Sequence, residues 1–332
     1  MDAGIVSIAV GNLSSPVILF FLLGLGAALA RSDLSIPEAL AKGLALYLML
    51  AIGFKGGVEL SKHGLEGRVF WALLAGALLS FLIPFLAFWL LRRLVGLNQV
   101  NAAAVSAHYG SVSVVTFVTA LQFLERLAVG FEGYMVAVVA VMETPAILTG
   151  LLLAKAAGRS RAPVGQGFGI NKQLLREVLL NGSVVLLMGA FFVGWITGED
   201  GMTRLSPFVV TIFEGVLALF LLDMGLLAGS RLRASRILTV ALVAFGLFMP
   251  LISAVLGLAA GALVGLSLGG TMLLGVLAAS ASYIAVPAAM RLALPSADPG
   301  LYLTLSLAVT FPFNVIVGIP LYFFAAGLLV GS

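Results

Sequence analysis

Long apolar runs, interrupted at intervals by short polar or charged stretches, dominate the chain. Ten of them reach helical length, at approximately 15–31, 37–60, 69–91, 98–122, 132–154, 176–197, 206–229, 236–266, 270–294 and 300–330. A helix of about 20 apolar residues covers the hydrocarbon of a bilayer while satisfying its own backbone hydrogen bonds, so runs of this length predict membrane spans. None shows the period-two alternation of a membrane barrel strand. The pattern predicts an all-α polytopic membrane protein. Within the third run, Trp71 and Trp89 lie 18 residues apart, about 27 Å along a helix, which suits a pair of interfacial anchors.

Composition agrees. Of 332 residues, 61% are hydrophobic and 10% charged, against roughly 45–50% and 25% in a soluble domain. Too little polar surface remains to cover a soluble core. The absence of Cys excludes disulfides, thiolate metal sites and a cysteine nucleophile, and two histidines, His63 and His108, are too few for a His-built metal site. With no convergent acids or metal cluster, an enzyme is not expected. The net charge of +4 does not predict nucleic-acid binding, because Lys and Arg sit between apolar spans rather than in a patch. Gly24-Leu25-Gly26 and Gly56-Gly57 are not nucleotide loops, having no preceding strand and no following Gly-Lys-Ser/Thr. No cofactor is expected, and transport by such a chain draws on an ion gradient or runs downhill. The first apolar run follows Asp2 with no Lys or Arg before it, which reads as an uncleaved first helix.

Placing the loop after the fifth span in the cytoplasm puts twelve basic residues inside: Arg31, Arg92, Arg93, Lys155, Arg159, Arg161, Lys172, Arg176, Arg231, Arg233, Arg236 and Arg291. Four, Lys62, Arg68, Arg126 and Arg204, fall outside, with Lys42 and Lys55 in or beside the second span. The bias predicts that both termini lie on the extracytoplasmic side. A basic, Gly/Pro/Ser-containing linker at 158–171 divides the chain into 1–157 and 172–332.

The halves resemble each other. Gly53-Phe54-Lys55-Gly56-Gly57 parallels Gly225-Leu226-Leu227-Ala228-Gly229, Pro84 parallels Pro250, Tyr109 parallels Tyr283, and Tyr134, Pro145 and Gly150 parallel Tyr302, Pro312 and Gly318, all at offsets of 166 to 174. Five spans per half is an odd number, so the second copy crosses the membrane upside down. Inverted repeats are a transporter signature.

Polar residues interrupt corresponding spans. Span four contains Ser106-Ala107-His108-Tyr109-Gly110-Ser111-Val112-Ser113 and then Thr116, and span nine contains Ser280-Ala281-Ser282-Tyr283 followed by Pro287 and Arg291. Glycine and proline loosen a helix, so both spans are expected to be discontinuous, with freed backbone groups facing a cavity. Half-helix N-termini suit a small anion and the opposing carbonyl ends suit Na+. Gly110, Ser111, Ser113, Thr116, Ser280, Ser282 and Tyr283 are the candidate substrate residues. Glu143 lies deep in span five, where a carboxylate costs at least about 2.5 kcal/mol unless it meets a cation, a partner or water. It is the first candidate cation ligand, with Thr310 and Asn314 near its repeat-mate position; the alternative is an ion pair with Lys55 or Arg291. Glu214 and Asp223 read as scaffold residues. His108 is read first as a packing residue and second as a proton carrier.

Leu34-Ser35-Ile36-Pro37-Glu38-Ala39, Ile52-Gly53-Phe54-Lys55-Gly56-Gly57, the Gly110, Ser113 and Thr116 spacing, Ala278-Ala279-Ser280-Ala281-Ser282, Pro295-Ser296-Ala297-Asp298-Pro299 and Gly318-Ile319-Pro320-Leu321 together resemble the bacterial sodium-dependent bicarbonate transporters. The resemblance implies ten helices in two inverted five-helix repeats, spans four and nine being discontinuous. It also implies a substrate domain moving against a scaffold, a homotrimer embedded in membrane lipid, bicarbonate taken up by symport with Na+, and a PII-like cytoplasmic regulator. Tyr283 stands where the family pattern has aspartate, and Val114-Val115 where it has Gly-Ser, so the implied cavity is less polar. Two other functions stay open: Na+ symport of a different small organic or inorganic anion, and sodium/proton antiport with Glu143 or His108 as carrier.

Overall fold

A computed structural model describes residues 10–63, 67–155, 182–234, 238–284, 286–287, 289–290 and 294–331. The linker at 158–171, Arg291 and several of the basic residues used to assign orientation lie outside these. Among the described residues the chain is entirely helical. In order the helices are α1 (Pro16–Leu29), α2 (Glu38–His63), α3 (Arg68–Leu90), α4 (Gln99–Gly110), α5 (Val114–Arg126), α6 (Met135–Lys155), α7 (Gly182–Ser206), α8 (Phe213–Ala234), α9 (Val240–Val264), α10 (Leu268–Ala279) and α11, a continuous run over Pro299–Val330. Seven helical runs among the described residues are long and apolar enough to cross a membrane, and α1 and α10 are shorter apolar helices.

The stretch between the expected sixth and seventh spans is helical, which corrects the loop placed there. Val185–Ala234 forms one helical run of 50 residues, about 75 Å if straight and far beyond the roughly 30 Å of bilayer hydrocarbon. Gly198, with φ 54 and ψ −143, breaks its geometry, and a π-helical turn at Pro207–Thr211 precedes α8. Arg204, assigned to an outside loop, sits on this bent helical connection instead, with Glu199 and Asp200.

α1 packs along α8 and α2 along α7. Backbones meet at glycines, as membrane helices do where small residues permit close approach. A Cβ on Gly24 would lie 2.1 Å from the Leu222 carbonyl oxygen, and one on Gly225 2.1 Å from that of Phe21. In the other pair, Gly57 faces the Phe191 carbonyl at 1.9 Å and Gly194 that of Phe54 at 2.1 Å. Around Gly26, one turn position away from Gly24, nothing lies within 4 Å. Gly24→Ala is therefore expected to destabilise the protein by about 1–3 kcal/mol through overpacking, while Gly26→Ala leaves it unchanged. Thermal unfolding of the two purified variants checks the contrast; equal midpoints would mean that the α1–α8 crossing is loose.

The remaining helices form a second group in which α3, α4 and α6 pack together and α9 packs on α10 and α11. The same contact recurs in each half: a Cβ on Gly76 of α3 would meet Val138 of α6 at 2.7 Å, and one on Gly246 of α9 would meet Val309 of α11 at 2.7 Å. α4 and α10 are both 12 residues long, capped by Asn98 and Ser267 at their N-termini, 169 positions apart. Twelve residues span about 18 Å, a little more than half of the roughly 30 Å of bilayer hydrocarbon. Trp71 and Trp89 are exposed on α3.

Candidate functional site

Span four stops at Gly110 and restarts at Val114. Ser111 and Ser113 hold extended backbone, as does Ser280 where α10 stops. Serine caps make these breaks. The Ser113 hydroxyl accepts from Thr116 N at 3.2 Å and starts α5, and the Ser282 hydroxyl accepts from Val286 N at 3.5 Å where helix resumes in span nine. A capping oxygen supplies the acceptor that the first helical N–H groups lack. Gly110 and Pro287 do not interrupt the helices themselves. Gly110 ends α4 and allows close approach to Pro84, whose Cγ would lie 2.2 Å from a Cβ there. Pro287 is already helical, beside Val286, near a helix start where its missing N–H costs little.

The two breaks are tied to each other. Ser113 N donates to Ser280 Oγ at 2.9 Å, Ser280 Oγ donates to Leu277 O at 2.9 Å, and Ser282 N donates to His108 O at 2.8 Å. Beside this crossing lies a small cavity lined by Met49, Val112, Ser113, Val114, Glu143, Ser282, Tyr283 and Ile284. Glu143 is only 5% exposed, and no hydrogen bond or ion pair reaches its carboxylate among the described residues. The expected alternative partner Lys55 is engaged with Glu125 and lies over the ring of Phe213.

Four of the candidate residues therefore share one cavity: Ser113, Ser282, Tyr283 and Glu143. The others stand outside its lining. Ser280 holds the crossing together as described, and Ser111 Oγ and Thr116 Oγ1 are buried without hydrogen-bond partners among the described residues, as is Tyr283 OH. Thr310 donates to Gly246 O at 2.8 Å and receives Tyr109 OH at 2.6 Å. Asn314 Nδ2 donates to Ala279 O at 2.8 Å, and its Oδ1 receives Tyr322 OH at 2.8 Å. Both are satisfied within packing around α11, and neither lines the cavity that holds Glu143. His108 Nδ1 donates to Ala104 O at 2.6 Å, and the ring stacks on Tyr302 at 4.3 Å, a packed position outside the cavity lining. Asp223 is buried in α8.

Sequence reading missed Met49, which comes from α2 and closes the cavity from the first helix group, and Ser80. Ser80 Oγ donates to Met142 O at 2.5 Å and accepts from Ala146 N at 3.1 Å. An apolar residue in an apolar run, and a single serine in another, carry no signal in one dimension.

Apolar helices of spanning length and paired interrupted helices around a buried carboxylate define a multi-pass membrane protein of the secondary-transporter kind. The chain belongs to the Na+-dependent bicarbonate transporter superfamily, whose profile matches residues 16–327 of the 332. Membership makes it a transporter and not an enzyme. No curated protein matches the chain.

Proposed function

We propose that the protein is a Na+-coupled symporter of bicarbonate or a similar small anion, working by alternating access. One observation carries this reading: a buried carboxylate without a partner among the described residues shares a cavity with the hydroxyls of Ser113 and Ser282 at the crossing of two interrupted helices. A capping serine oxygen accepts from the backbone and still has its own proton to donate to an anion. Tyr283 OH is a third donor beside them.

The repeat relation supports a cation at Glu143. In the second half Asn314, 171 positions from Glu143, donates to the carbonyl of Ala279, the last residue of α10. The corresponding last residue of α4 is Gly110. An ionised carboxylate accepts and cannot make the bond that Asn314 donates; what satisfies it is a cation with oxygen ligands. Na+ fits that donor set.

Energetics favours coupling. Moving an anion inward against about 100 mV costs roughly 2.3 kcal/mol. One accompanying Na+ cancels this, and a tenfold Na+ gradient adds about 1.4 kcal/mol, enough for roughly tenfold accumulation.

The reading includes ten spans in two inverted repeats, 1–157 and 172–332, joined by 158–171. Equal lengths and matching caps of α4 and α10, and the paired Gly76–Val138 and Gly246–Val309 contacts, support the duplication. From the family resemblance we carry over a homotrimer in the bacterial inner membrane and a PII-like partner at the cytoplasmic face, and from the charge bias periplasmic termini. A second substrate is favoured by the lining itself. Met49, Val112, Val114 and Ile284 make half of it apolar, which suits a small carboxylate better than bicarbonate.

Uptake of labelled bicarbonate and of small monocarboxylates into proteoliposomes is the test. An inward Na+ gradient is expected to drive accumulation of one of them. Uptake indifferent to Na+ for every anion sinks the symport reading, whereas Na+-driven uptake of a carboxylate alone keeps the coupling and replaces the substrate.

A further inference from the structure

Glu143 stands in a turn of α6 that Pro145 deprives of one ordinary backbone bond. Pro145 has no N–H, so the carbonyl four residues earlier, at Val141, loses its helical donor. One residue on, an unbroken helix would join Ala146 N to Met142 O. Here the Ser80 hydroxyl stands at both, accepting from Ala146 N at 3.1 Å and donating to Met142 O at 2.5 Å. Ser80 is wholly buried in α3. One turn before it, Gly76 brings α3 close enough to α6 for the hydroxyl to reach, since a Cβ there would meet Val138 at 2.7 Å and Met142 at 3.2 Å. One turn further along α6, Thr149 Oγ1 bonds the Phe81 and Pro145 carbonyls, both at 3.1 Å. The opened turn is thus held from both sides by α3, and Glu143 is the residue next to Met142.

We infer that Ser80 is a positioning residue for the cation site: its hydroxyl bridges Met142 O and Ala146 N in the turn that Pro145 opens, and so aims the Glu143 carboxylate into the cavity between the interrupted helices. The inference rests on the sodium reading of Glu143. A hydroxyl is suited to this place because it is donor and acceptor at once. A methyl group would leave a buried carbonyl and a buried N–H to seek each other, closing the turn and rotating Glu143 away from Ser113 and Ser282.

The test is Na+ dependence of anion uptake in proteoliposomes containing the full-length protein, compared among the parent, Ser80→Ala, Ser80→Thr and Glu143→Gln. Ser80→Ala is expected to weaken apparent Na+ affinity about tenfold, the size of one charge-linked hydrogen bond, while anion affinity at saturating Na+ stays within about twofold. Ser80→Thr, which keeps the hydroxyl, is expected to restore Na+ affinity. Pro145→Ala returns an N–H to the same turn and is expected to weaken Na+ affinity likewise, so it carries the test if Ser80→Ala does not fold. Parental Na+ affinity in Ser80→Ala, or equal losses for Na+ and anion, overturns the positioning role. If Glu143→Gln also keeps parental Na+ dependence, the sodium reading itself has failed. If Glu143→Gln loses it and the folded Ser80 and Pro145 variants do not, only the inference about Ser80 has.

Discussion

Glu143→Gln is expected to remove most of the sodium dependence of uptake while the protein remains folded. The carboxylate is buried, meets no basic group among the described residues, and lines the same cavity as Ser113 and Ser282. Deleting one member of a buried charge pair costs about 2–5 kcal/mol, or roughly thirty- to several-thousandfold in apparent Na+ affinity. Stability moves the other way or not at all, because a neutral amide is less costly to bury than an ionised carboxyl. Na+ titration of uptake, read beside the thermal unfolding midpoint, separates the two effects. A variant with unchanged Na+ affinity would leave Glu143 as a structural acid.

The second large effect is expected at the capping serines. Ser113→Ala and Ser282→Ala each remove a hydroxyl that bonds a charged ligand, at about 1.5–3 kcal/mol or roughly ten- to a hundredfold in anion affinity. Ser113→Ala also removes the N-cap of α5, a stability loss of about 0.5–2 kcal/mol for alanine and only a few tenths for glycine, and Ser282→Ala removes the contact to Val286 N at 3.5 Å. Ser113→Gly and Ser282→Gly therefore isolate the binding term, since they keep the helix start and lose the proton donor. Ser280→Ala is the comparison, because that hydroxyl is already spent on Ser113 N and Leu277 O and its loss loosens the crossing instead. Anion binding with Na+ present is the measurement. Parental affinity in both glycine variants would move the site elsewhere.

Much of this arrangement was legible in one dimension because membrane helices advertise themselves by length, and polar residues inside them are too costly to be incidental. That logic found the interruptions of spans four and nine and picked out Glu143. It misassigned the cause. Gly110 and Pro287 looked like breakers, yet the serines end and restart the helices, and the glycine serves a helix crossing. It also grouped Thr310 and Asn314 with Glu143 on repeat position alone. Repeat-related residues occupy similar places without equal surroundings: Tyr322 and the Ala279 carbonyl satisfy Asn314, whereas no comparable pair meets Glu143. Ser80 was invisible because its meaning lies in a neighbouring helix that reaches it only through folding.

The pairing of α1 with α8 and of α2 with α7 also governs how the chain is made. Gly24 waits for Leu222, and Gly53 for Leu187. At ribosomal speeds of about 5–20 residues per second, the roughly 200 residues between Gly24 and its partner take on the order of 10–40 s to synthesise. During that interval the first two helices lie in the bilayer with their glycine notches turned to lipid or to the insertion machinery. Assembly of this group is thus a late event: the nascent chain completes the α2–α7 pair only after α7, and the α1–α8 pair only after eight of its eleven described helices have been made.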